Sequence, residues 1–203
     1  MLNRCFQVCR IRASQRGWQP LRAQLEERTL PTLAKAGVKP WGLWYGLFGL
    51  RSNELVMTTS WPEDAATVSV LTDALPAGAE VVELYEFVPT VRPVTDDPCT
   101  RAGLYVFRFF DVRNEDVEEI AQLSETAWET FEAASTYQSV PQALFCQRDR
   151  SAEQGVMLLL TWYDDLNSWQ ASRQPAPEAA QNFRRRAQLT LGTVAYATRL
   201  VGQ

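Results

Sequence analysis

The chain contains no histidine, and that absence selects the chemistry left open. Serine–histidine and cysteine–histidine nucleophiles, histidine metal sites and histidine-ligated haem all need an imidazole. Proton transfer falls to Asp, Glu, Tyr, Cys or the two lysines, Lys35 and Lys39. Two charged side chains, Arg108 and Asp111, interrupt the otherwise apolar strand LYVFRFFDV from Leu104 to Val112. Their parity sends them to opposite faces, Arg108 with Phe110 and Asp111 with Phe107 and Phe109. A charge on a core strand is costly unless something neutralises it. Arg108 is therefore the leading candidate for an anion-binding or catalytic group. Glu83 and Tyr85, which share one face of EVVELYEFV, are its expected partners. The competing reading is an ion pair of structural value only.

Aromatic residues supply the other candidates. Trp44 is flanked on its own strand face by Gly42 and Gly46, with Tyr45 beside it. Glycines next to a large ring leave space for a ligand, unless the ring fills that space itself. Trp61 and Trp162 each end a strand just before a helix start, where backbone amides can meet an anionic or aromatic ligand. Otherwise they are strand-end anchors. The acidic pairs Glu63–Asp64 and Asp164–Asp165 read as helix caps. No metal-ligand spacing and no cofactor motif is present, so neither a metal nor a cofactor is expected.

Composition sets the frame for these residues. The 203 residues are 46% hydrophobic and 11% aromatic, enough for a substantial core, with a net charge of −4. That balance points to neither a nucleic-acid nor a membrane partner. Arg184-Arg185-Arg186, the one dense basic run, reads as a solvated helix face. With no signal-like or membrane-spanning apolar run, a cytoplasmic protein with reduced cysteines is expected.

Apolar periodicity places the candidates on elements. Strand FQVCRIR is followed by a helix over 16–36, in which Pro31 should break or kink the helix. A hairpin over Trp41–Phe48 and Glu54–Trp61 turns through GLRSN, where Gly49 and Asn53 can take positive φ. A helix opening at Pro62, and then the strand Glu80–Val88, complete β-α-β-β-α-β. The linker PTVRPVTDDPCTR follows, so the expected units are 1–90, a linker 91–103, and 104–203. A gap-free shift of 101 residues places Phe6 on Phe107, Arg12 on Arg113, Pro40 on Pro141 and Trp61 on Trp162, the mark of an internal repeat. The last strand matches about ten positions late, so RQPAPEAAQNF is an insertion that lengthens or breaks the final helical region.

A βαββαβ unit is the ferredoxin-like motif, an antiparallel sheet with helices on one face and a bare second face. Two tandem units can bury their bare sheets face to face as an α/β barrel. The stretch LPTLAKAGVKPWGLWYGLFGLRSNELVMTTSW, with LYVFRFFDV and VMLLLTWYDDLNSW in the second half, resembles the dimeric α/β-barrel superfamily, and within it the NIPSNAP-type domain. Many members carry a histidine near the second helix or in the barrel. Here Pro62-Glu63 and Tyr163-Asp164 stand in its place, which argues against the histidine-dependent activities of that superfamily.

Three readings stand at this level: a protein binding a small apolar or aromatic molecule between its sheets, a cofactor-free oxygenase or isomerase acting on a hydrophobic substrate, and a structural module without ligand. A homodimer is compatible with each. The contrast between Gly42-Leu43-Trp44-Tyr45-Gly46 and Ala143-Leu144-Phe145-Cys146-Gln147 places an expected pocket in the first half's sheet.

Overall fold

The computed structural model describes residues 2–63 and 68–202. Asp64, a predicted capping residue, lies outside that range. The elements are β1 (Arg4–Ala13), α1 (Gln19–Gln24), α2 (Leu30–Lys35), β2 (Lys39–Phe48), β3 (Glu54–Pro62), α3 (Val68–Asp73), β4 (Ala79–Pro89), β5 (Leu104–Arg113), α4 (Val117–Phe131), β6 (Ser139–Gln147), β7 (Gln154–Tyr163), α5 (Leu166–Ala171), α6 (Pro177–Gln188) and β8 (Thr190–Leu200). All strand pairs are antiparallel, and the order β1-β3-β2-β8-β5-β7-β6-β4 closes on itself. Each half is the expected ferredoxin-like sheet, and the two sheets face each other as an α/β barrel. The halves also join edge to edge, β2 with β8 and β4 with β6. Closure of this kind leaves no strand edge unpaired.

Local physics departs from the sequence reading in two places. Pro31 does not break the first helix. A π-helical turn over Leu25–Thr29 joins α1 to α2, with the Leu30 N–H reaching back five residues to the Leu25 carbonyl. The wider turn absorbs the donor that proline lacks. In the β2–β3 turn, Gly49 has φ +87°, whereas Asn53 stays at negative φ. Asn53 serves instead through its side chain, which donates to the Ala13 carbonyl at 2.7 Å.

Three apolar clusters fill the fold. One lies inside the barrel, and each of the other two lies between a half-sheet and its helices. The linker is tied down along its length. Asp96 takes Arg4 and Lys39, each at 2.9 Å. Arg92 forms a bidentate pair with Glu132 at 2.8 and 2.9 Å and lies over the Trp128 ring. The Cys99 N–H donates to the Trp41 carbonyl at 2.7 Å, and burial pushes its thiol up to about 12, far from the thiolate range.

Lys39, and after it Arg4, hold the Asp96 carboxyl below its ordinary 3.8. A depressed carboxyl contributes stability above its unfolded value and loses it as pH falls through the folded one. Asp96→Asn should therefore lower stability by about 1 kcal/mol at pH 7. The gap should close as urea midpoints are followed down through pH 3.8 and below. A gap independent of pH would show that the pair contributes nothing through charge.

Candidate functional site

The space between the sheets is filled. Phe6, Trp41, Trp44, Phe87, Tyr105, Phe107, Phe145 and Trp162 all point into the barrel and are buried there. Trp44 is 0% exposed and packs edge-on against Tyr105 and Phe107, with centroids 5.6 and 5.0 Å apart. Its ring lies over Gly42, where a Cβ would come within 2.0 Å of Trp44 Cη2. The glycine makes room for the tryptophan, not for a ligand. The asymmetry expected to place a pocket in the first half's sheet is thus packing of the core.

One mouth of the barrel is polar. Glu83 accepts from the Tyr196 hydroxyl at 3.3 Å and pairs with Arg10 at 3.3 Å. Arg10 also donates to the Tyr196 hydroxyl and lies over its ring. Tyr85 stacks on Phe87, and burial, then Glu83 and Asp111, push its hydroxyl up. At the other mouth the linker closes the barrel. Arg101 covers the Trp162 ring at 3.3 Å, and Trp162 Nε1 donates to the Ala102 carbonyl.

These positions separate the predicted site. Trp44, Glu83, Tyr85 and Trp162 face the barrel interior or its mouths. Tyr45 turns to the helix side, where it stacks on Trp18 at 4.6 Å. Trp61 is buried in the first half's helix-side core. Arg108 also faces the helices, between Val106 and Phe110 of that layer. It is not a partner of Glu83 and Tyr85, because it projects from the opposite side of the sheet.

The pairing registers explain the error. Phe6 pairs with Ser60 and Phe107 with Leu160, so β3 and β7 correspond at a shift of 100, although β1 and β5 correspond at 101. A slip of one residue moves every side chain to the other face. Trp61 and Trp162 look equivalent in sequence and end on opposite sides of the wall.

A cleft of about 690 Å³ lies over the outer face of β5, beneath α4 and α6. Phe110, Trp128, Phe131 and Phe183 form apolar walls; Thr161, Tyr163, Ser172 and Thr193 present hydroxyls. Arg108 rises from its floor, Arg186 comes from α6, and Arg173 comes from the segment between α5 and α6. Sequence reading placed Arg186 with Arg184 and Arg185 on a solvated face. Three consecutive residues span about 200° of a helix, so all three cannot face water. Arg185 reaches Glu119 outside, whereas Arg186 turns inward and is 7% exposed. It donates to the Ser124 hydroxyl at 3.1 Å and lies over the rings of Phe183 and Phe110. The spacing Ala179, Phe183, Arg186, at i, i+4 and i+7, was the available signal for an inward arginine.

The charge in this cleft is not neutralised. Among the described residues, no Asp or Glu lines it. The guanidiniums of Arg108 and Arg173 have no hydrogen-bond or ion-pair partner among them. By contrast Arg4, Arg10, Arg12, Arg92, Arg148 and Arg150 each pair with a carboxylate. Burial, then the neighbouring guanidiniums of Arg108 and Arg173, push Arg186 down to about 9. Burial, with Arg173 as a lesser contributor, also lowers Arg108. A guanidinium does not release its proton in a protein, so these shifts express the cost of holding like charges together.

No protein-family model matches the sequence, and no curated protein matches it either. Solved structures do share its fold. An anthrone oxidase-like protein aligns over 97% of this chain and 91% of its own, at TM-score 0.60 and 12% identity. A chlorite dismutase mutant from Candidatus Nitrospira defluvii aligns over 98% and 91%, at 0.59 and 8%. A ferredoxin-fold protein from Listeria monocytogenes, related to antibiotic biosynthesis monooxygenases, aligns over 98% and 95%, at 0.51 and 10%. At these identities the likeness establishes the ferredoxin-like α/β-barrel architecture and nothing finer.

Proposed function

We propose that this protein binds a small, largely apolar or aromatic molecule in the cleft between the second half's sheet and α4 and α6. The carrying observation is the contrast between two spaces. The barrel interior is occupied by the protein's own rings, whereas the cleft is walled by Phe110, Trp128, Phe131, Tyr163 and Phe183 and open at about 690 Å³, within the range of small-molecule sites. The reading proposed here keeps the small apolar or aromatic ligand expected from the sequence and assigns it to the helix layer instead of the space between the sheets. The NIPSNAP-like reading rests on the Leu30–Trp61 stretch.

The test uses the neutral fluorophore N-phenyl-1-naphthylamine with the full chain. Its emission should rise on binding, and Ala180→Trp, which fills the cleft from α6, should weaken binding at least 10-fold. Failure of the wild-type protein to bind either this probe or its sulfonated analogue, or binding unaffected by Ala180→Trp, overturns this reading.

A second reading of the same cleft is turnover. The names of the anthrone oxidase-like and monooxygenase-related neighbours favour it. It would be an oxygenation of a bound aromatic without histidine, with Arg108 and Tyr163, which line the same cleft, as the groups at hand. Oxygen uptake with an electron-rich aromatic substrate, abolished by Arg108→Ala, is the expected result. Binding without oxygen uptake sinks it.

A further inference from the structure

We infer that the ligand of the cleft is an organic anion, its oxyanion group held by Arg108, Arg173 and Arg186 and its apolar body lying among Phe110, Phe183 and Trp128. This assignment rests on the cleft being a binding site and adds the ligand's charge and orientation.

The argument starts from what an unpaired guanidinium costs. Removing such a group from water is unfavourable unless a counter-charge or hydrogen-bond acceptors replace the lost solvent. This chain carries net charge −4 and pairs its other inner arginines with carboxylates. In one cleft it brings Arg108, Arg173, Arg184 and Arg186 together with no acidic residue among the described lining. The guanidiniums come from a strand, a loop and a helix, so no single element's periodicity forces them together. Arg186 is fixed by Ser124, whose hydroxyl is itself held by the Ile120 carbonyl at 2.7 Å, and by the two flanking rings. Among the described residues Arg108, half-buried on the cleft floor, and Arg173, exposed at its rim, have side-chain donors without partners.

The first half shows that the fold does not require this charge. The residue corresponding to Arg108 there is Gln7, which donates to Glu86, and the surrounding helix-side core is apolar. Free guanidinium donors in a partly dry cleft make short, charge-assisted bonds to carboxylate, sulfonate or phosphate oxygens. Aromatic walls set against them select an anion with a flat apolar body over a bare inorganic ion.

The experiment compares 8-anilinonaphthalene-1-sulfonate with N-phenyl-1-naphthylamine, the same ring system without its sulfonate, by fluorescence titration of the full chain. The anion should bind at least 10-fold more tightly. Arg108→Gln should remove about 10-fold of that preference, with the neutral probe unchanged within about twofold, since a hydrogen bond to a charged group contributes about 1.5 kcal/mol or more. Arg173→Gln, on an exposed side chain that folding does not need, should weaken the anion about threefold. Arg28→Gln, exposed on the other half, should change neither probe. Equal affinity for the two probes, or an anion affinity untouched by both Arg108→Gln and Arg173→Gln, overturns the anion assignment while leaving the cleft as a binding site. Binding of neither probe overturns both.

Discussion

The fragment Met1–Pro93, which contains β1 to β4, should not persist as a folded monomer. In the whole chain its outer strands β2 and β4 are hydrogen-bonded to β8 and β6 of the other half. The inward residues Phe6, Trp41, Trp44 and Phe87 meet Tyr105, Phe107 and Phe145 across the barrel. Cutting the chain bares both edges and the aromatic face together. Such a surface favours self-association, through edge pairing or through stacking of two copies. Light scattering behind size exclusion should report a dimer or larger species, and urea unfolding should depend on protein concentration. A soluble monomer with a concentration-independent transition would mean that the half-barrel stands alone and that the interior contacts add little.

Trp44→Ala should be the most damaging single change in the barrel, costing about 3–5 kcal/mol, because it leaves a cavity among rings that cannot collapse into it. Gly42→Ala should also destabilise, by about 1–3 kcal/mol, since the new methyl collides with the Trp44 ring. In the Trp44→Ala background that second cost should vanish. The two changes thus form a cycle with a large coupling. Urea midpoints of the four proteins measure it directly. Additive effects would show that Gly42 is needed for its backbone and not for the ring above it. Neither substitution touches the cleft, so probe binding should survive in whatever fraction remains folded.

The duplication was legible because strand and helix periods survive when identities do not. The two βαββαβ units and the barrel architecture follow from where apolar runs alternate and where prolines and glycines cluster. Arg108 was legible as a charge on a core strand. The insertion RQPAPEAAQNF was legible too, and it proves to be the segment that splits the final helical region into α5 and α6 and brings Arg173 and Pro175 to the cleft.

What stayed hidden has one physical cause. In this fold both faces of each sheet are apolar, one against the helices and one inside the barrel. Alternation tells which residues share a face but not which face lies inside. Arg108 was therefore joined with Glu83 and Tyr85, and Trp61 with Trp162, across a wall that keeps each pair apart. A one-residue difference in register between β1/β5 and β3/β7 completed the confusion. The sequence by itself determined the repeat, the elements and the presence of an arginine on a core strand. Only the tertiary structure decided that the barrel fills itself with aromatic rings. It also decided that Arg108 meets Arg173 and Arg186 on the far side of the sheet, because the register of strand pairing is settled by contacts between segments and not within them.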